Sequence, residues 1–150
     1  MEAKHSMEIL RRVRHDFANH LQVVSGYLEL GRCQQVKEYI AEIVMDMAEE
    51  KKIFEAGLSA KEALYFFEKT LTARELGIIL RYEDLEVNSL DLSRLNHELD
   101  EALHELSSQL KGREEEPVVY LSVYNSEEEI TMLFSCTMLA QSPVKISIKE

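Results

Sequence analysis

The sequence predicts an α+β protein in which a long helical hairpin precedes a smaller unit of mixed helix and sheet. Apolar residues recur at three- and four-residue steps from about residue 2 to residue 54, which is typical of amphipathic helices. This pattern stops at Gly57, and past Gly112 the apolar residues fall into short runs typical of strands. We therefore predict two domains, residues 1–57 and residues 58–150.

The first helix is predicted from about Glu2 to Leu30. Gly31 suits a left-handed C-terminal cap, and a second helix of the same periodicity begins near Cys33. The short turn between them predicts an antiparallel hairpin. A lone hairpin of this length cannot cover its two apolar stripes, so we expect a four-helix bundle formed by dimerisation. The stripe of the first helix comprises Leu10, Val13, Phe17, Leu21, Val24 and Leu28.

The second domain is predicted to be a small α/β sandwich. Ser59 and Glu62 have the spacing of a capping box at the start of a third helix, residues 60–75. Residues 78–87 then read as a strand, and Asp91 is a suitable N-cap for a fourth helix with leucines at helical spacing. Three short strands follow, in the segments VVYLSVY, EITMLFSC and VKISI, and their order in the sheet stays open.

Composition and charge exclude several classes of protein. With 45% hydrophobic and 30% charged residues, the 150-residue chain is expected to be soluble and globular. Its net charge of −11 argues against nucleic-acid binding, although residues 1–40 carry +1 and residues 41–150 carry −12. No apolar run reaches the roughly 20 residues of a membrane span, and the start has no signal-peptide core. Cys33 and Cys136 are isolated and expected to be reduced, so we predict a cytoplasmic protein.

Helix geometry separates the two histidines of RHDFANHLQ, residues 14–22. With Phe17 at the centre of the apolar stripe, His15 points about 160° away from it, toward solvent. His20 lies about 60° from Phe17, where a hydrogen-bonded packing residue is expected. Five residues apart, the two rings diverge and do not form a zinc site. On this pattern alone, His15 is either an ordinary surface histidine or a reactive one.

The string RHDFANHLQVVSGYLELGRCQQVKEYI, residues 14–40, resembles the phosphoacceptor helical hairpin of sensor histidine kinases related to the sporulation initiation phosphotransferase B family. It contains the R-H-D, N-H-L-Q and G-x-L-x-L-G elements typical of that group, and the resemblance covers roughly the first third of the chain. In that family the histidine of R-H-D is phosphorylated. The resemblance therefore implies that His15 is the phosphoacceptor.

The second domain resembles a degenerate histidine-kinase ATPase domain. Residues 58–87 look like the entry to such a domain, and residues 89–106 are similar to the helix that carries its N-L-x-D-N-A motif. Here Glu98 and Ala102 occupy the two asparagine positions. Residues 113–150 contain no glycine, whereas ATP-binding loops of this type need glycines for close backbone approach. We therefore expect no ATP binding, no cofactor of the chain's own and no autokinase activity.

The resemblance implies a phosphorelay histidine phosphotransferase, with sporulation initiation as the expected process. A response-regulator receiver domain would donate the phosphoryl group of its aspartyl phosphate to His15, and a second response regulator would accept it. Acyl phosphates and phosphohistidine are both high-energy, so this exchange needs no ATP. The receiver would supply the acidic pocket and its Mg²⁺, so the chain needs no metal ligands.

Polar residues around His15 have expected supporting roles. Arg12 and Asn19, one turn to either side, are candidates for contacting the phosphoryl group or the partner. Asp16 is a candidate for orienting the ring, with plain helix surface as the alternative. Two further sets flank the same surface: Arg11 and Arg14, which would steer an acidic receiver face, and Gln22 and Gly26, where docking would be close.

Two other functions stay open at this point. A dimeric hairpin that binds and inhibits a histidine kinase or a response regulator would need no chemistry at His15. Such a module would keep its partner binding and its activity after His15→Ala. An autophosphorylating kinase with an unusual nucleotide site would instead incorporate label from ATP into the isolated protein.

Overall fold

A computed structural model describes residues 2–88, 90–139 and 142–149. It contains four helices and a four-stranded mixed sheet in these ranges, so the α+β class is confirmed. In chain order the elements are α1 (Glu2–Glu29), α2 (Cys33–Glu55), α3 (Ala60–Glu75), β1 (Ile79–Glu86), α4 (Leu92–Gln109), β2 (Val118–Asn125), β3 (Glu129–Ser135) and β4 (Val144–Lys149).

The turn between α1 and α2 is a Schellman motif, as Gly31 indicated. Gly31 has a φ of 70°, a left-handed backbone conformation that residues other than glycine rarely adopt. The Arg32 N–H donates to the Tyr27 carbonyl at 2.9 Å, and the Gly31 N–H donates to the Leu28 carbonyl at 3.0 Å. These two bonds satisfy carbonyl groups that the end of α1 would otherwise leave without partners.

The backbone contacts divide the chain into two compact units, Met1–Ala48 and Glu49–Glu150. The division falls inside α2, before the break at Gly57 where we placed the boundary. The reason is Ile53, which is 1% exposed and belongs to the hydrophobic core of the second unit. The last turns of α2 therefore pack with the α/β part of the chain.

The start of α3 carries the predicted capping box. The Ser59 hydroxyl accepts the Glu62 N–H at 3.2 Å, and the Glu62 carboxylate accepts the Ser59 N–H at 3.1 Å. The second carboxylate oxygen of Glu62 also accepts the N–H of Leu90, at 3.2 Å. One side chain therefore caps a helix and holds the loop between β1 and α4, where Asp91 caps α4 as expected.

The sheet has the strand order β1-β2-β3-β4. Strands β1 and β2 are parallel, with Ile79 opposite Val118, and the segment that connects them includes α4. The pairs β2–β3 and β3–β4 are antiparallel. A parallel pair needs a long crossover, which explains why a helix separates β1 from β2, whereas residues 126–128 suffice to join the antiparallel strands β2 and β3.

The core of the second unit lies between the helices and one face of the sheet. Phe66 of α3 is fully buried and packs edge-on against Tyr82 of β1. The buried Tyr82 hydroxyl donates to the Phe66 carbonyl at 2.8 Å, which satisfies a polar group in this apolar surrounding. The other residues with at most 1% exposure include Leu95, Leu99 and Leu103 of α4 and Val119, Leu121, Val123, Ile130, Met132 and Phe134 of the sheet.

Candidate functional site

His15 stands on the solvent-facing side of α1. Its side chain is 75% exposed, as the helical geometry predicted. The surrounding helix is regular on both sides because the segment has no proline and no glycine before Gly26. The ring is therefore presented to solvent on a rigid backbone, which suits a group that has to meet another protein.

Two polar neighbours approach the same ring nitrogen of His15. The Asn19 amide nitrogen lies 3.4 Å from Nδ1, and a carboxylate oxygen of Asp16 lies 3.8 Å from it. An amide N–H requires Nδ1 to be an acceptor, whereas the carboxylate requires Nδ1 to carry the proton. A rotation of the Asn19 amide by 180° would place its oxygen beside Nδ1, where it could share that proton. Both arrangements leave Nε2 facing away from these neighbours.

The other predicted site residues differ in their exposure. Arg11 is exposed and lies 3.7 Å from Glu8, one turn earlier. Arg14 is also exposed, whereas Arg12 and Asp16 are half-buried. Arg12 therefore presents only part of its side chain to solvent, and its supporting role stays a prediction.

Gln22 and Gly26 lie about two and three turns beyond His15 along α1. Gln22 is exposed. A Cβ atom built on Gly26 would have no heavy atom of the chain within 4 Å of it. A side chain at this position would therefore fit the isolated chain, and nothing within the fold requires a glycine there.

His20 is half-buried and contacts α2, as expected for a packing residue. Its Nδ1 lies 2.6 Å from the hydroxyl of Tyr39. We did not single out Tyr39 from the sequence. The available signal was its spacing from Val36 and Ile43, which places it on the same side of α2 as those two apolar residues.

The apolar stripe of α1 is not buried in the single chain. Phe17, which we placed at the centre of the buried face, is 63% exposed. The contact with α2 instead uses the side of α1 that carries His20 and Tyr27. The exposed stripe comprises Leu10, Val13, Phe17, Leu21 and Leu28 on α1, with Ile40, Val44 and Met47 on α2.

The described part of the chain offers no cluster of three His, Cys, Asp or Glu side chains that could hold a metal ion. Across the same residues, no helix combines the length and the apolar character of a membrane span. The site consists of an exposed imidazole with a carboxylate and an amide beside one ring nitrogen. Such a group can act as a nucleophile toward a partner that brings its own electrophile.

Residues 1–56 match the family model described as sensor kinase SpoOB-type, alpha-helical domain. The resemblance that we identified in the first third of the chain is thus confirmed, and it indicates a role in two-component signalling. A search of curated proteins found no match to the chain.

Proposed function

We propose that the chain is a phosphorelay histidine phosphotransferase, which takes a phosphoryl group from the aspartyl phosphate of a receiver domain onto His15 and passes it to a second response regulator. The observation that carries this proposal is the exposed ring of His15 within the segment that matches a sensor-kinase helical domain. Sporulation initiation is the process in which we expect this relay to act.

The proposed chemistry uses His15 as a neutral nucleophile. Nε2 attacks the phosphorus in line, the N–P bond forms, and the bond to the receiver's aspartyl oxygen breaks, which returns a carboxylate to the receiver. Attack through Nε2 requires the proton on Nδ1, where Asp16 lies 3.8 Å away. The carboxylate of Asp16 would stabilise the positive charge that develops on the ring, and Asn19, with its amide rotated so that the oxygen faces Nδ1, would help to hold this tautomer.

Charge around His15 supports docking of an acidic partner. Arg11 and Arg14 are exposed near the histidine, in a protein whose net charge is −11 overall. A receiver domain carries an acidic pocket with Mg²⁺, and these arginines would steer its rim toward α1. Arg12 would contact the phosphoryl group or the partner's backbone only through the exposed part of its side chain. The chain itself needs no metal ion for this reaction.

A homodimer is part of the proposal. The apolar stripe on α1 and α2 contains eight large apolar side chains that are exposed in the single chain, and contiguous exposed apolar surface commonly marks a protein–protein interface. In an antiparallel hairpin, a second copy would cover it and complete a four-helix bundle, with His15 on the outside. Phe17→Asp would place a charge in that interface, and we expect sedimentation equilibrium to show a shift from dimer to monomer.

The second unit is proposed to have no kinase activity. Glu98 and Ala102 stand where kinases carry asparagines, and residues 113–150 have no glycine. We propose that this unit supports the dimer or adds contacts for the partner. Deletion of residues 58–150 would then weaken dimerisation or transfer, and unchanged behaviour of both would contradict this role.

The test of the proposed function mixes the protein with a receiver domain that carries a labelled aspartyl phosphate. We expect acid-labile, base-stable label on the protein, and no label on His15→Asn. His5→Asn is the matched control, because His5 is another exposed histidine of α1. A wild-type protein that binds the receiver but takes no label would favour the non-catalytic module. Label from ATP on the isolated protein would instead indicate an autokinase.

A further inference from the structure

The His20–Tyr39 contact is a directional link between α1 and α2. The imidazole Nδ1 lies 2.6 Å from the tyrosine hydroxyl, and both residues are half-buried. The two rings meet edge to face, with centroids 5.6 Å apart and an interplanar angle of 61°. Tyr27 also packs edge-on against Tyr39, with centroids 6.5 Å apart. The chemistry proposed for His15 uses none of these three side chains.

Apolar packing alone does little to fix the rotation of α1. Among residues 3–48, whose burial the structure describes, the buried apolar residues are Ile9 and Val36. Hydrophobic burial is non-directional, so such contacts tolerate small rotations and shifts of one helix on another. A hydrogen bond is directional: it prefers angles above about 150° and weakens steeply below about 120°. The bond between His20 and Tyr39 therefore restrains α1 about its own axis.

Rotation of α1 changes the position of His15, because the two histidines belong to one continuous helix. The two histidines are separated by about 7.5 Å along the helix axis. Over so short a distance, a rotation of the helix at His20 also rotates it at His15. Side-chain tips lie about 6 Å from that axis, so a rotation of about 10° moves the ring by about 1 Å. A misplacement of about 1 Å can slow a group transfer about 100-fold.

We propose that His20 and Tyr39 are a positioning pair for phosphotransfer. Their hydrogen bond holds α1 at the rotation that directs Nε2 of His15 toward the phosphoryl group of a docked receiver. This role rests on the proposed function of His15. The pair touches neither the phosphoryl group nor the receiver, so it affects the rate of transfer within the complex and not the affinity of docking.

The test measures two quantities for each variant of the full chain: the dissociation constant for the receiver and the single-turnover rate of transfer at saturating receiver. We expect Tyr39→Phe to leave the dissociation constant unchanged and to slow transfer about threefold to tenfold, the effect of one hydrogen bond on the population of the correct orientation. Tyr27→Phe is the matched control, because it removes a hydroxyl from the same ring cluster. We expect it to transfer at the wild-type rate.

A second pair of variants tests the same bond from the other side. His20→Asn places an amide near the position of Nδ1, whereas the longer side chain of His20→Gln places it near Nε2. We expect His20→Asn to retain the wild-type rate and His20→Gln to be slowed as Tyr39→Phe is. These two variants decide the question if Tyr39→Phe loses helical structure by circular dichroism.

Three outcomes would overturn the positioning role: equal transfer rates for His20→Asn and His20→Gln, equal slowing by Tyr39→Phe and Tyr27→Phe, or an effect on the dissociation constant alone. Each of these results requires a wild-type protein that takes label on His15. A wild-type protein that takes no label would refute the proposed function first, and the positioning role with it. The two failures are therefore distinguishable.

Discussion

The substitution Glu62→Gln separates two roles of the Glu62 side chain: it caps the start of α3, and it holds the N–H of Leu90 in the loop before α4. Within a capping box, glutamine serves as well as glutamate, because only one side-chain oxygen has to accept the N–H of the capping residue. In this fold both oxygens of Glu62 are used. One accepts the N–H and the hydroxyl of Ser59, at 3.1 and 2.9 Å, and the other accepts the N–H of Leu90 at 3.2 Å. Glutamine has only one acceptor oxygen, so one of these two partners loses its bond.

The magnitude follows from the burial of this group. Glu62 is 8% exposed and Leu90 is 9% exposed, so water does not readily replace the lost bond. A hydrogen bond to a charged group contributes about 1.5–3 kcal/mol, and a buried N–H without a partner costs about 1–3 kcal/mol. We therefore expect Glu62→Gln to lower the free energy of unfolding by about 2 kcal/mol. Ser59→Ala, which removes the capping hydroxyl alone, should cost about 1 kcal/mol.

Urea unfolding followed by circular dichroism measures the change, and hydrogen exchange of the Leu90 amide locates it. We expect faster exchange of this amide in Glu62→Gln and little change in Ser59→Ala. A Glu62→Gln protein within about 0.5 kcal/mol of wild type, with unchanged protection of Leu90, would refute the reasoning. The side chain would then act only as a helix cap.

Three further predictions concern docking, an ion pair and pH. Gly26→Ala should raise helix stability by about 0.5–1 kcal/mol, because alanine favours the helix more than glycine does and the added methyl group meets no other atom of the chain. The same substitution should weaken binding of the receiver, and unchanged binding would exclude close approach at this position. The side chains of Lys69 and Asp100 are 7% and 37% exposed, and their charged atoms lie 2.7 Å apart. Asp100→Ala leaves the buried ammonium group unpaired and should lower the free energy of unfolding in urea by about 2 kcal/mol. Lys69→Met removes the buried charge itself and should cost under about 1 kcal/mol. Equal costs would show that burial of the ammonium group is unimportant. The Ser93 hydroxyl, followed by the backbone N–H of Arg94, lowers the pKa of Asp91. The contribution of Asp91 to stability is therefore complete above the unfolded pKa of about 3.9 and is lost as the pH falls through the lower folded value, a dependence that Asp91→Asn should remove.

The elements of this fold could be predicted closely because their signals are local. The third helix was expected at residues 60–75 and is observed at Ala60–Glu75, since its capping box lies within one turn of the chain. The three final strands were expected from short apolar runs and are observed at those places. Their order could not be predicted, because the pairing of a strand depends on which edge its connection reaches and not on its own residues.

The candidate site was predictable in part for the same reason. Helical periodicity placed His15 in solvent and His20 at a packed edge, and both placements hold. The same helical periodicity placed Phe17 at the centre of the apolar face, but Phe17 is exposed in the single chain. Helical periodicity identifies an apolar face but does not say which element covers it. Here α2 covers a neighbouring face of α1, the one that carries His20 and Tyr27. The roles of Arg12, Asp16 and Asn19 stay predictions.

The sequence by itself determined what depends on residues within a turn or two of each other: the helices and their caps, the left-handed turn at Gly31, and the exposure of His15. Only the tertiary structure decided the contacts between distant residues. The Leu90 N–H meets Glu62 across 28 positions of the chain, and Tyr39 meets His20 across 19. Local hydrogen bonds and helical periods are encoded in fixed spacings, whereas the partner of a side chain on another element follows from how whole elements pack.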